Sequence, residues 1–295
     1  MSSRDERWIG LALALFGAIA FSGKAIIVKL AYRHGVDAIT LITYRMLFAL
    51  PFFIALAWWS GRGKARLSRD NAMAVMGLGF SGYYLASTLD FLGLQYITAS
   101  LERIILYTSP TIVMLLSWWR FGRRASRAQW LALMASYAGV ALAFGHEVRI
   151  EGSHVALGAA LVFASTLSYA FYLLYSGEVV RRIGSLRLTG WASGVACVLC
   201  LLQFAVLRPL SAALVPEPVL WLSLINATVC TVAPVLMLMM AIERIGPSLA
   251  AQAGMVGPLS TILMGVWLLG EPFSAWLAAG TACVLVGVWL LARAR

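Results

Sequence analysis

Trp8 to Tyr32 reads WIGLALALFGAIAFSGKAIIVKLAY, an apolar run in which the only charges are Lys24 and Lys29. As a helix rising about 1.5 Å per residue, it is long enough to cross the roughly 30 Å hydrocarbon core of a bilayer. It exceeds the roughly 7–15-residue core of a secretory signal, and further runs of the same kind follow it. It is therefore read as a retained first membrane helix. The same reading extends to nine more segments, at about 37–59, 71–94, 98–119, 127–145, 154–178, 187–208, 217–242, 246–269 and 274–292. Several connectors carry turn chemistry, including Gly61-Arg62-Gly63, Gly246-Pro247 and Gly270-Glu271-Pro272, and none is long enough for a soluble domain.

Composition leads to the same class. Of 295 residues, 61% are hydrophobic and 12% charged, against roughly 25% charged in soluble domains. A water-facing fold would expose large apolar patches, whereas lipid absorbs them. The net charge of +11 sits in short connectors, so it is a topology signal and not a nucleic-acid surface. The N-terminus, the C-terminus and the connectors after the second, fourth, sixth and eighth segments hold 16 Lys and Arg, against 3 on the other side. Both termini are thus expected in the cytoplasm of a bacterium, with the chain in the inner membrane. Cys197, Cys200, Cys230 and Cys283 all lie within apolar runs and are read as packing residues without a disulfide framework.

Sliding the chain by 148 residues brings Phe21 onto Tyr169, Ser100 onto Ser248, Pro110 onto Pro258, Gly122 onto Gly270 and Gly139-Val140 onto Gly287-Val288. The expected fold is therefore all-α, an integral membrane protein of ten transmembrane helices arranged as two five-helix repeats, 1–147 and 148–295. Five is odd, so the second repeat enters the membrane in the opposite sense, giving an inverted pair. That architecture lets two pseudo-symmetric halves open a shared site to one side and then the other.

The ten segments, the repeat, the Leu30-to-Arg45 stretch, the Thr98-to-Pro110 segment with its counterpart Gly246-to-Pro258, and the Gly270-Glu271-Pro272 turn together resemble the drug/metabolite transporter superfamily, of the EamA type. The resemblance covers essentially the whole chain. It implies a carrier for small metabolites, and overall likeness points to the aromatic amino acid exporter subgroup. One departure stands out. Where the family usually has a glutamate after the fourth helix, this chain has Arg123 and Arg124 beside Gly122.

Ionisable side chains inside a bilayer cost about 2.5–3.5 kcal/mol on insertion scales, so each is a site candidate. Lys24, deep in the first helix, is the candidate to meet a substrate carboxylate. Arg45 is given a polar interior role. Asp90, Glu102 and Arg103, near helix ends, are read as interfacial groups or as pairs that lock helices together. Tyr83, Tyr107, Tyr169 and Tyr172 place hydroxyls midway along their helices and, with Gln252, are expected to line a substrate site, the alternative being interhelical hydrogen bonds alone. Pro110, Gly254, Gly257 and Pro258 are read as paired hinges, the alternative being passive kinks. Small residues at Gly10, Ala14, Ala18 and Ser22, and again at Ala156, Ala160, Ala164 and Ser168, allow close helix contact.

The sequence has no Walker loop, no deep histidine relay, no His/Cys/Glu cluster suited to a metal and no nucleophile–base pair. No cofactor, metal or enzymatic activity is expected. The expected partners are the lipid bilayer and a small-molecule substrate, with no nucleic acid, and the chain is expected to work as a monomer. These readings converge on export of neutral or aromatic amino acids, or related metabolites, by alternating access. Efflux of cationic drugs and a non-transporting assembly role are the alternatives.

Overall fold

The computed structural model describes residues 3–121, 126–151, 154–238, 240–241, 244–245 and 256–293. Among them every regular element is helical. Gln252 and Gly254, and the basic pair Arg123 and Arg124, lie outside the described residues.

The helices are α1 (Ser3–Tyr32), α2 (Ala38–Gly61), α3 (Arg69–Leu78), α4 (Ala86–Gly93), α5 (Ala99–Leu106), α6 (Ser109–Phe121), α7 (Arg127–Glu151), α8 (His154–Ile183), α9 (Ser185–Leu207), α10 (Glu217–Ala227), α11 (233–238), α12 (Val256–Met264) and α13 (Ala275–Arg293). A π-helical segment, Gly79–Leu85, joins α3 to α4, and another, Thr228–Val232, joins α10 to α11. A third, Gly265–Leu269, extends α12 and ends at Gly270, whose φ of 72° is open to glycine and strained for other residues.

Among the described residues, six stretches are long and apolar enough to cross a membrane: Glu6–Tyr32, Ala38–Gly61, Ala99–Arg120, His154–Ile183, Ser185–Leu207 and Glu217–Leu238. Helical residues also fill the expected segments 71–94, 127–145 and 274–292, and the described part, 256–269, of the segment 246–269. Helix starts carry side-chain caps where the sequence supplies them. Asp37 accepts from the Ile39 and Thr40 amides, Ser68 from Asn71, and Thr98 from Leu101. The bend expected at Pro110 is a break: α5 ends at Leu106, and α6 restarts at Ser109 with Pro110 in its first turn.

The outward faces are apolar. Trp8, Phe16, Trp58, Trp59, Trp119 and Trp267 are each more than 60% exposed, an arrangement suited to lipid and not to water. Small residues set the tightest packing. A Cβ on Gly190 of α9 would lie 2.7 Å from the Ala57 amide of α2, and one on Gly280 of α13 would lie 2.6 Å from the Gly139 carbonyl of α7. The 148-residue shift carries α2 onto α9 and α7 onto α13, so each of these pairs joins a helix to its own counterpart. The same shift carries the first π segment onto the second.

Candidate functional site

Five ionisable side chains from four helices are drawn into the interior, and none is more than 5% exposed: Lys24 of α1, Arg45 of α2, Asp90 of α4, and Glu102 and Arg103 of α5. Lys24 Nζ lies 2.5 Å from Asp90 Oδ2 and 3.1 Å from Glu102 Oε1. Only the first contact has hydrogen-bond geometry. Both oxygens of Glu102, and Asp90 Oδ1, are buried without a hydrogen-bond partner among the described residues. Two carboxyl groups thus meet on one ammonium, each with oxygen valence to spare.

The arginines tie this core to the second half of the chain. Arg103 Nε donates to Thr261 Oγ1 of α12 at 3.0 Å, and its Nη2 reaches the Phe21 carbonyl at 3.4 Å. Arg45 Nε donates to Thr231 Oγ1, in the second π segment, at 2.9 Å, while its Nη1 is buried without a partner among the described residues. Thr231 in turn donates to the Asn226 carbonyl five residues back, at 2.8 Å. Lys24 Nζ and the Arg103 guanidinium stand 5.6 and 5.4 Å from the centre of the Phe21 ring, and Arg45 stands 5.2 Å from that of Phe91. The buried Asn226 amide has neither its nitrogen nor its oxygen bonded among the described residues. Polar groups left open in an interior point to a ligand, an ion or water at that place.

α1 and α12 meet at Ser22 and Gly257, beside the residue that ends α5. Ser22 Oγ donates to the Gly257 carbonyl at 2.9 Å, and a Cβ on Gly257 would strike the Tyr107 hydroxyl. Gly257, expected as a hinge, is here the residue whose missing side chain admits Tyr107. Pro258 lies in the first turn of α12.

The other tyrosines form a second group. Tyr83 and Tyr172 share a hydroxyl–hydroxyl bond of 3.1 Å, and their rings meet edge to face at 5.1 Å. The Tyr172 ring packs so closely on the π segment that a Cβ on Gly82 would overlap it. Tyr169 stacks on Tyr172 at 5.6 Å but is 37% exposed. Ser168 donates to the Ser81 carbonyl of the π segment at 2.8 Å, and Ser165 to the Ala86 carbonyl at 2.6 Å. Tyr83 precedes Asp90 by two helical turns, about 10 Å, so this group sits beside the charged core and not within it. The sequence suggests Lys24 for the site and reads Asp90, Glu102 and Arg103 as interfacial groups or as pairs that lock helices together. The structure gathers all four. Their signal in the sequence was their charge within or at the edge of apolar segments.

One end of the bundle is laced together. Glu271, in the turn before α13, accepts from the Ala99 amide at 2.7 Å, the Ser100 amide at 3.2 Å and Ser100 Oγ at 2.6 Å, and so caps α5. Arg33 donates to the Leu269 carbonyl at 2.7 Å, and Arg208 Nε pairs with Asp37 at 3.0 Å. Burial raises the Asp37 carboxyl, but its bonds from Thr40 and Arg208 outweigh this and hold it below its ordinary value.

A lipid-facing exterior around a buried, partly unsatisfied ionic core defines a multi-pass helical membrane protein. Two stretches, 8–145 and 156–293, each match the EamA-like transporter family. They start 148 residues apart, the shift read from the sequence. The chain is 32% identical to the "Uncharacterized transporter YcbK" of Bacillus subtilis over 272 residues, covering 90% of this chain and 87% of that one. It is 25% identical over 208 residues to an "Uncharacterized transporter" of Archaeoglobus fulgidus, covering 70% and 68%. A solved structure described as "Crystal structure of protein" shares the fold with a TM-score of 0.64 at 18% identity, covering 98% of this chain and 96% of that one. The chain belongs to the EamA-like transporter family, and it is a transporter.

Proposed function

We propose that this transporter exports neutral or aromatic amino acids, or closely related metabolites, by alternating access across the bacterial inner membrane. The observation that carries the reading is the core of Lys24, Asp90, Glu102, Arg45 and Arg103, buried where the two matched stretches meet. A zwitterion bears one charge of each sign. The oxygens turned away from Lys24, Asp90 Oδ1 and Glu102 Oε2, suit its ammonium, and the open Nη1 of Arg45 suits its carboxylate. Phe21 and Phe91 beside the cations, with the tyrosine group two turns away, supply apolar surface for a side chain.

The reading takes the chain as ten spans in two inverted halves, 1–147 and 148–295, with both termini in the cytoplasm. The pairing of α2 with α9 and of α7 with α13, and the corresponding π segments, support such a two-fold relation. Exchange of conformation between the halves would loosen the Glu271 cap on α5 and open that end. Efflux of organic cations ranks second, because the buried core holds three cations, Lys24, Arg45 and Arg103, and two acids, Asp90 and Glu102.

Counterflow of labelled amino acids in proteoliposomes tests this. Preloaded amino acid should drive uptake of label, and Tyr172→Phe, which removes only the hydroxyl, should slow it while the protein stays folded. If no amino acid exchanges in active vesicles, the substrate class is wrong.

A further inference from the structure

At the end of the bundle opposite the Glu271 cap, the loop after α2 and the turn between α8 and α9 enclose a pocket of about 460 Å³. Lys64, Arg66, Arg182 and Arg187 line it, with Asn71 and Gly184, and no carboxylate does. Of the nearby acids, one pairs with a cation of the pocket and the other is exposed. Glu178 pairs with Arg182 one turn away on the exposed face of α8, at 3.1 Å, and Asp70 is exposed in the first turn of α3.

The pocket is built, not a chance cluster of surface cations. Arg187 is held in place by its Nη2, which donates to the Ala65 carbonyl at 2.7 Å, yet its Nε is buried without a partner among the described residues. The Oδ1 of Asn71 is likewise buried and unbonded. A Cβ on Gly184 would lie 3.9 Å from Lys64 Nζ, so the loop and the turn share one mouth. The 23-residue helix α9 begins there, and no side chain caps its first turn, which leaves amide donors and the positive end of the helix dipole at the pocket.

Depth completes the description. Trp58 and Trp59, at the same end of α2, are exposed, and Arg62 stacks on Trp58 at 4.1 Å. Exposed tryptophans at a helix end mark the membrane–water boundary. The pocket begins one turn beyond them, at the depth of lipid headgroups.

We propose that this pocket is a binding site for a phosphate ester, supplied by the headgroup of an anionic phospholipid in the adjoining leaflet. Guanidinium forks and free helix N-terminal amides are both matched to phosphate oxygens, and basic pockets between helices at this depth hold such headgroups. A free phosphate ester shares the chemistry, and the experiment separates the two sources.

The full chain, purified in detergent, would be titrated with phosphatidylglycerol or phosphatidylcholine, with native mass spectrometry reading the retained adducts. Wild type should retain phosphatidylglycerol in preference to phosphatidylcholine. The K64Q/R182Q variant should bind it about thirtyfold more weakly, the loss of two near-surface cations. Both side chains are exposed, so the lipid-free melting temperature serves as the control for folding and should not move. Inorganic phosphate is the second probe. If it fails to displace the lipid, the headgroup is the ligand. If it displaces the lipid and shows the same dependence on Lys64 and Arg182, the site takes a soluble phosphate. Equal retention of the two lipids, or wild-type retention by the variant, overturns the proposal.

Discussion

Removing the Lys24 ammonium would leave Asp90 and Glu102 facing each other in the interior with no shared cation. Deleting one partner of a buried ion pair costs about 3–5 kcal/mol, because the remaining charge is uncompensated. Lys24→Met is therefore expected to lower the melting temperature as well as transport. A stability loss alone would not show that Lys24 serves the substrate. Adding Glu102→Gln and Asp90→Asn to Lys24→Met removes the stranded charges and should restore much of the stability, while counterflow stays absent. If the triple variant transports at the wild-type rate, the cluster is only a structural lock. Tyr172 calls for similar care. Its ring is buried against Gly82 and Tyr83. Truncating a buried aromatic ring to alanine costs about 3–5 kcal/mol, so only the hydroxyl deletion, at about 1 kcal/mol, separates function from packing.

Individual helices owe their start points to single side chains. Asp37 caps α2 through the Ile39 and Thr40 amides and also holds Arg208 at the end of α9. Asp37→Asn is expected to cost about 1 kcal/mol at neutral pH, through the weakened cap and the lost pair. The folded carboxyl lies below its ordinary value, so its contribution is complete above the unfolded value and is lost as pH falls through the folded one. The melting-temperature difference between wild type and variant should stay constant at neutral and mildly acidic pH, and shrink only below about pH 4. A difference that shrinks near pH 6 would point to another titrating group. The π segments also act at this level. They sit at corresponding places in α3–α4 and α10–α11, and at each a backbone carbonyl also accepts from a hydroxyl: that of Ser81, in the first segment, from Ser168, and that of Asn226, just before the second, from Thr231. Irregular turns of this kind are tolerated inside a membrane because neighbouring side chains satisfy the backbone.

For the molecule entire, the open question is orientation. The 16-to-3 distribution of cations predicts that Arg62 faces the cytoplasm and His146 the opposite side. Single cysteines introduced at these positions, in a background freed of the four native ones, should label from opposite sides in intact cells and inverted vesicles. Labelling of both from one side would remove the ten-span arrangement and with it the inverted halves. The same experiment locates the Glu271 cap and the phosphate-ester pocket, which lie at opposite ends of the bundle.

Hydropathy alone defines the helical membrane class, because a bilayer makes each span meet its own length and polarity requirement regardless of its neighbours, and matched residues 148 apart define the repeat. The break near Pro110 was legible for a similar local reason, since proline cannot continue the preceding backbone hydrogen-bond ladder. Which way each helix turns about its axis was not legible. Lys24, Asp90 and Glu102 lie on three different helices, and nothing in any one segment says that their side chains converge. Tyr169 and Tyr172 share one helix, yet one is exposed and the other buried. Those outcomes depend on rotation, and rotation is set by contacts between helices, such as the meeting of Gly190 with Ala57 and of Gly257 with Tyr107, where the lack of a side chain lets two backbones or a ring approach.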